Sequence, residues 1–514
     1  MTTTIKVGET LTATVTDANG VPSSATYQWY ADGAVILGAT TKDCTLNTAQ
    51  VGKVITVKAE FTDNDGYAES VISPASELVV PDKPIVDLAF NNIGIQGTAN
   101  FGVGITDNLP IGMSEMEGTR TLGHENYGNY QYSDGSIMCW IPQFYYRWGG
   151  ADSPYAAKYG LNSCDVKSKY DFADEAEANS AGYALHRAFY DNGEVKEGFF
   201  VDKYAASNNS GVASSIKNGN PLSISPLNNP LSALNGSPQN AVYGIIKAAK
   251  SRGVDFFPQT NFIKFALSML SLAHGQASNS NTFCAWFDAT KVSNYPKGYS
   301  TETLESPSDP EVVYQPTGFI RADSELKLGK TGSASNFAKT THNGQKSGVA
   351  DCFEGVSEYL IGLTQYDGKV YSLKTTTKVS NLTDSKTASS GAWGLAGIGN
   401  NYDLLGSGFE AFTAADPSIY RDVGVNSNQV FSNATGGLSW AASCGGIPKL
   451  DSTGIVSSSD DRGGSQLFAK SRVLDKAFIN CVTLSSGWNS SYHFGRDDAS
   501  DNYSLTIFRS ALYI

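Results

Sequence analysis

The sequence predicts a multidomain protein in which a small all-β module precedes a larger α+β domain. Three observations carry that expectation. Glycine is abundant (52 residues), tyrosine is frequent (26), and charged residues make up only 17%; many short strands and turns fit this better than helical bundles. The first eighty residues alternate apolar and polar positions between turn signals, which is the period of half-buried strands. The remainder has two stretches of helical spacing among long Gly/Ser/Asn segments, a pattern of α+β rather than α/β architecture.

Residues 1–80 read as a β-sandwich. The runs "TLTATVT" (Thr10–Thr16), "TYQWYADG" (Thr26–Gly33) and "VITVKAEFTD" (Val54–Asp63) are broken at "DANG", "ADG" and "DNDG", which are turn sequences. Trp29 falls on a central strand, the usual place for a core tryptophan in an immunoglobulin-like sandwich. The stretch "YQWYADGAVILGATTKDCTLNTAQVGKVITVKAEFTDNDG" resembles bacterial immunoglobulin-like modules nearly throughout, with Cys44 where an aromatic is common. Residues 81–130 are expected to form a linker and an irregular β connector. The hinge "SPASELVVPDKPIVDL" (Ser73–Leu88) carries three prolines, and Gly and Asn dominate the stretch after it.

The longer domain is expected over residues 131–514. "GSIMCWIPQFYYRWGG" (Gly135–Gly150) reads as one strand, and "EGFFVDKYAASNNSGVASS" (Glu197–Ser215) as another that enters a polar loop. "QNAVYGIIKAAKSRG" (Gln239–Gly253) places Val242, Ile245, Ile246 and Ala249 at helical spacing, with Gly253 as its C-cap. "PQTNFIKFALSMLSLAHGQ" (Pro258–Gln276) is the strongest helix. It puts Phe262, Phe265, Ala266, Met269, Leu270 and Ala273 on one face.

Four stretches, in order, resemble the formylglycine-generating-enzyme-like fold, which is a C-type-lectin-type architecture. They are "SIMCWIPQFYYRWG", "FFVDKYAASN", "SGVADCFEGVSEYLIGLT" (Ser347–Thr364), and "DDRGGSQLF" (Asp460–Phe468) followed by Arg472 and "FRSAL" (Phe508–Leu512). Within that family, "NYGNYQYSDGSIMCWIPQFYYR", "GYALHRAF", "GFFVDKY" and "FAKTTHNGQKSGVAD" resemble bacteriophage and prophage virion proteins of tail-fibre type. The resemblance implies an immunoglobulin-like module and a lectin-like domain displayed on a virion. It also implies a homo-oligomer, a trimer by analogy with tail fibres, and a fold-fixing role for Arg462, Gly463 and Gly464. Fold does not fix function, so the site is argued separately.

Several functions are disfavoured. A net charge of −13 argues against a nucleic-acid surface, which needs clustered Lys and Arg. The amino terminus lacks the basic and apolar regions of a secretory signal, and no segment is apolar enough to span a membrane. The expected site of action is the virion surface, reached from the host cytoplasm by lysis. Seven scattered cysteines, never in a C-x-x-C pair, form neither a disulfide framework nor a zinc site. The resembled oxidase uses two closely spaced copper-binding cysteines. Here only Cys444 and Cys481 occur in the last third, far apart, and both read as buried apolar residues.

The five histidines are isolated. His274 is expected to favour a helix C-terminal dipole, and His342 to make a structural hydrogen bond. Glu354 and Glu358 stand at i, i+4 but read as an exposed loop or helix turn, since spacing alone does not identify glycosidase carboxylates. "DNDG" (Asp63–Gly66) reads as a hairpin turn and "DDASDN" (Asp497–Asn502) as solvated polarity, although both offer hard oxygen ligands. No cofactor, metal or catalytic residue is expected.

The most informative stretch closes the chain. Fourteen of the twenty residues from Ser485 to Ser504 are Ser, Asn, Asp, Tyr or His, and then Leu505, Ile507, Leu512 and Ile514 mark an apolar final strand. The polar part is expected to be an exposed loop before that strand. Tyr offers rigid contact area there, and Ser and Asn offer adaptable hydrogen bonds. Candidate receptor contacts are Trp488, Asn489, Tyr492, His493, Arg496, Asp497, Asn502 and Tyr503. The composition also resembles the variable proteins of diversity-generating retroelements. The expected function is non-enzymatic adhesion to a host-surface glycan or protein, with other virion proteins as further partners. A capsid decoration or head fibre is the alternative.

Overall fold

The computed structural model describes most of residues 5–384, leaving out 81–90, 289–295, 321–326, 352–357 and several shorter stretches. Beyond 384 it describes 400–404, 422–423, 465–466, 480–485, 493–498 and 507–514. The fold is mostly β-sheet with few helices, as a multidomain all-β and α+β chain requires. It divides into two units, Met1–Asp87 and Leu88–Ile514.

In the first unit a four-stranded antiparallel sheet runs in the order Ala34–Val35, Thr26–Ala31, Ile55–Thr62, Ala68–Ile72. Thr10–Thr12 pairs with Asp43–Thr45, and Ile5–Lys6 pairs in parallel with Val79–Val80. Along Ile55–Thr62 the residues Ile55, Val57, Ala59 and Phe61 are buried, in strict alternation with more exposed neighbours, so the period of two reads directly as one inward face. Trp29 is buried opposite Val57 and packs in a core with Ala31, Cys44, Leu46 and Val79. Its indole N–H donates to the Thr41 carbonyl at 2.9 Å. At "DNDG", the Asp63 carboxylate accepts the N–H groups of Asp65 and Tyr67 at 3.0 and 2.7 Å, and Gly66 takes φ +91°. That is a hairpin turn, in line with the sequence.

The second unit is built on a six-stranded antiparallel sheet. Its order is Phe257–Pro258, Ser510–Tyr513, Gly198–Asp202, Ile137–Pro142, Asn129–Tyr132, Met113–Glu115. Strand Gly198–Asp202 is buried at every residue. Phe199 and Val201 enter the main core, whereas Phe200 joins a second cluster with Met113, Tyr130, Met138, Trp140, Phe256 and Leu512. Both faces are therefore covered, which explains a continuous rather than alternating apolar run. A three-stranded sheet, Cys164–Ser168, Phe144–Trp148, Ala184–Leu185, stands beside it in sequence. A five-stranded sheet has the order Tyr402–Leu404, Lys369–Leu373, Glu358–Tyr366, Asn480–Ser485, His493–Asp498.

Helix Asn261–Ala277 opens on Thr260, whose hydroxyl accepts the Ile263 N–H at 3.1 Å, a standard N-cap. The sequence suggests one apolar face. In the structure every residue of the helix except Gly275 and Ala277 is buried, so it is a core helix and not a surface one. Two of its buried polar side chains find partners across the core: Ser271 donates to the His342 carbonyl at 2.6 Å, and Lys264 pairs with Glu358.

Three further expectations are corrected. The connector expected through residue 130 belongs to the second unit, because Ile93, Phe101, Val103 and Ile105 sit in its main core and Asn129–Tyr132 is a strand of its sheet. Gly and Asn enrichment there reflects tight turns inside a packed segment, with positive φ at Gly94, Gly97, Asn100 and Gly102. The stretch Gly135–Gly150 is two strands in different sheets, divided at Gln143, rather than one. The second helix spans only Gly244–Ala249 and is capped by Lys250 rather than Gly253. Val242 lies outside the described residues.

Candidate functional site

Of the candidate contacts, His493, Arg496 and Asp497 are described, while Trp488, Asn489, Tyr492, Asn502 and Tyr503 lie outside the described residues. The three described residues do not lie in a loop. They belong to strand His493–Asp498, which pairs antiparallel with Asn480–Ser485 in the register His493↔Ser485, Arg496↔Val482, Asp497↔Cys481. Polar side chains do not oppose this, because sheet pairing satisfies the backbone while an end strand tolerates charge. Residues 493–498, expected in a loop, are a strand, and the rest of the polar segment from 486 to 504 lies outside the described residues.

The final strand is anchored by a buried ionic network. Ile507 bridges to Glu358, and Ser510–Tyr513 lies between Gly198–Asp202 and Phe257–Pro258. Arg509 is fully buried, and its Nε donates to Glu358 at 2.5 Å. Lys264 holds the second oxygen of the same carboxylate at 2.7 Å. The Arg509 guanidinium also reaches the carbonyls of Asp202 (3.3 Å) and Asp351 (3.2 Å). Beside it, Asp202 takes a two-pronged contact from Arg252 (2.7 and 3.2 Å) and accepts the Ser510 N–H at 2.8 Å.

The two buried carboxylates differ in their electrostatics. Burial would raise the Glu358 carboxyl, but Arg509 and Lys264 together outweigh it and hold it below the ordinary carboxylate range. Burial pushes Asp202 up, and the charge and hydrogen bonds of Arg252 and the Ser510 N–H oppose it without cancelling it, while Asp134 adds repulsion. Glu358 was expected in an exposed loop or helix turn. It is instead a buried strand residue and the hub of the network, and Glu354 lies outside the described residues. The sequence signal was available in principle. A carboxylate before "YLIGL" and an arginine inside "IFRSALYI" are charges in apolar runs, and such charges are rarely buried unless paired.

Four of the five histidines are structural. His124, His186, His274 and His342 each accept a backbone N–H at Nδ1, from Asn126, Ala188, Gly97 and Val349 in turn. His274 Nε2 donates to the Phe283 carbonyl at 2.7 Å, and His342 Nε2 to that of Gly102 at 3.1 Å. These rings are neutral, because burial lowers His274 to about 4 and His342 to about 3. The expected charge–dipole role of His274 is therefore not the one it plays. Among the described residues no group of three or more His, Cys, Asp or Glu converges as a metal site. Cys44, Cys139, Cys164 and Cys284 are buried and form no disulfide. Cys481 lies in strand Asn480–Ser485 opposite Thr364 and Asp497, while Cys444, Arg462, Gly463 and Gly464 lie outside the described residues.

No protein-family model matches this chain, and no curated protein is matched by it.

Proposed function

We propose that this is a non-enzymatic virion surface protein, of tail-fibre or receptor-binding type, that adheres to a glycan or protein of the host surface. In this reading the first unit is an immunoglobulin-like sandwich and the second a C-type-lectin-like domain, assembled as a homo-oligomer. One observation carries it. The Tyr-, Ser- and Asn-rich sequence from Ser485 to Ser504 contains strand His493–Asp498, at the end of one sheet, and precedes a terminal strand that is an inner strand of another. A recognition surface needs that combination of adaptable side chains on a rigid support. The buried charges are explained without chemistry, since Glu358, Asp202, Arg252, Arg509 and Lys264 are all engaged with one another or with backbone.

The test is saturable binding of the purified protein to intact host cells, alongside a Trp488→Ala/Tyr492→Ala/Tyr503→Ala variant of unchanged melting temperature. Aromatic contacts of this kind each carry about 2 kcal/mol or more at a binding hot spot, so the variant is expected to lose at least about tenfold in affinity. Undiminished binding would move the site away from the segment. No binding across a broad host panel would favour capsid decoration or a head fibre.

A further inference from the structure

A cleft of about 840 Å³ opens in the second unit, away from the C-terminal segment in sequence, and its lining includes Lys203, Lys217, Lys339, Lys346, Tyr204 and Phe337. The chain carries a net charge of −13, yet four lysines meet here and, among the described residues, the cleft wall contains a single carboxylate, Glu125. The volume lies within the range of about 300–1,000 Å³ typical of sites for organic ligands, and is far larger than a bare ion needs.

The lysines differ in how they are held. Lys203 is 3% exposed, and its ammonium donates to the Asn129 side-chain oxygen, to the Lys346 carbonyl at 2.7 Å and to the Glu125 carbonyl at 3.5 Å. Burial lowers it to about 8, so at neutral pH it remains a mostly charged, immobile cation in the cleft. Lys339 is held by Asp309 and Glu311, both at 2.8 Å. Lys346 faces Glu125 at 3.4 Å with both side chains more than half exposed, a pairing of little strength in water.

Lys217 is exposed and forms no ion pair among the described residues. Its ammonium lies 5.4 Å from the centre of the Phe337 ring, which Lys203 also faces at 5.7 Å. The half-buried Phe337 ring is backed by Tyr204 at 6.0 Å, and gives an apolar strip in an otherwise polar wall. The amides of Asn126, Asn281 and Asn336 border it.

We propose that this cleft binds a short acidic saccharide, one bearing a carboxylate. The carboxylate meets Lys217 and Lys346 over the fixed charge of Lys203, the sugar C–H face lies along Phe337, and the hydroxyls reach the surrounding amides. Charge-assisted hydrogen bonds give such a site its preference for the anion, and the ring and amides distinguish a sugar from a simple ion. The inference rests on the adhesion reading but uses different residues, so the two fail separately.

The experiment is an array of uronate- and sialate-bearing oligosaccharides, each printed with its carboxyl-methylated neutral counterpart and probed with the full-length protein. At least one acidic glycan is expected to be retained about tenfold or more over its neutral form. A Lys217→Glu/Lys346→Glu variant of unchanged melting temperature is expected to lose that preference, and Lys217→Arg/Lys346→Arg to keep most of it. The proposal is overturned if no acidic glycan is retained, if neutral forms bind equally, or if the charge-reversed variant binds as the parent does. Equal displacement by equimolar inorganic phosphate at fixed ionic strength would also overturn it, because the site would then take a bare anion. Host-cell binding that survives while every acidic glycan fails would sink this inference and leave the adhesion reading standing.

Discussion

At the scale of single residues, the decisive feature is where charge is buried. Glu358 neutralises two cations, Lys264 and Arg509, inside the second unit. Taking such ions out of water costs several kcal/mol each, so the assembled network is a modest source of net stability. Breaking it is another matter. Glu358→Gln leaves two buried cations facing a neutral amide, and the expected loss is about 3–5 kcal/mol in denaturant unfolding. The depressed carboxyl sets the sign with pH. Its contribution is fully present above the unfolded glutamate value of 4.5 and is lost as pH falls through the lower folded value. The Gln variant should therefore lack that acid-limb decrement, and an unchanged midpoint with an unchanged acid limb would refute the assignment. The same residue shows what sequence spacing misses. Glu354 and Glu358 invite a question about paired carboxylates, but the partners that matter, Lys264 and Arg509, are distant in sequence and converge only in the fold.

At the scale of elements, the two buried histidines act as stitches. His274, on helix Asn261–Ala277, takes the Gly97 N–H, and His342 reaches back to the Gly102 carbonyl, so the segment around Phe101 is tied to the core at two points. The Phe101 ring also stacks on His274 at 5.3 Å. Gly102 leaves no alternative, with φ +86° and only 2.8 Å between an added Cβ and His342 Nε2. Both rings are lowered from 6.5, to about 4 and about 3. Their stabilisation is thus complete above the unfolded value of 6.5 and declines as pH falls below it. Between about pH 6 and 4.5 each of the two histidines binds about one proton on unfolding, so stability should fall by about 2.7 kcal/mol per pH unit for the pair. His274→Gln should halve that slope when urea midpoints are measured over this window, and an unaltered slope would exclude His274 as a source.

Legibility at this scale is uneven. The alternation of Ile55–Thr62 and the spacing of Asn261–Ala277 are visible because a single local period produces them. The segment from Ile93 to Tyr130 reads as a connector in sequence because its regularity is tertiary. It is held by turns, ring stacking and side-chain hydrogen bonds such as Asn343 to the Phe101 carbonyl, 2.9 Å, and these leave no periodic trace. Strand His493–Asp498 escapes sequence reading for a related reason, since its partner strand and not its own composition determines its conformation. The lysine cleft is not legible as a local motif. Lys339 and Lys346 share the stretch "FAKTTHNGQKSGVAD", but Lys203 and Lys217 come from more than a hundred residues earlier, and only the fold brings the four together.

At the scale of the whole molecule, the chain contains separate cores. Trp29, Cys44, Ile55, Val57 and Val79 form one in the first unit, whereas Phe101, Phe199, Phe265 and Tyr359 belong to another in the second. A core defines a cooperative unit because its side chains gain their contacts only together, and two cores that share no residues have no such coupling between them. The first unit is small, so it buries a smaller fraction of its surface and has less stability to lose. Calorimetry of the full chain is therefore expected to show two transitions, with the smaller enthalpy belonging to Met1–Asp87. Trp29→Ala separates them. Removing a buried tryptophan costs about 3–5 kcal/mol, enough to lower or abolish the minor transition, while the major one stays within about a degree because none of its core contacts change. A single transition that shifts as a whole on Trp29→Ala would show that the units unfold together. Two transitions, only one of which responds, would establish that the first unit can be exchanged or removed without disturbing the fold that carries the cleft and the C-terminal strand.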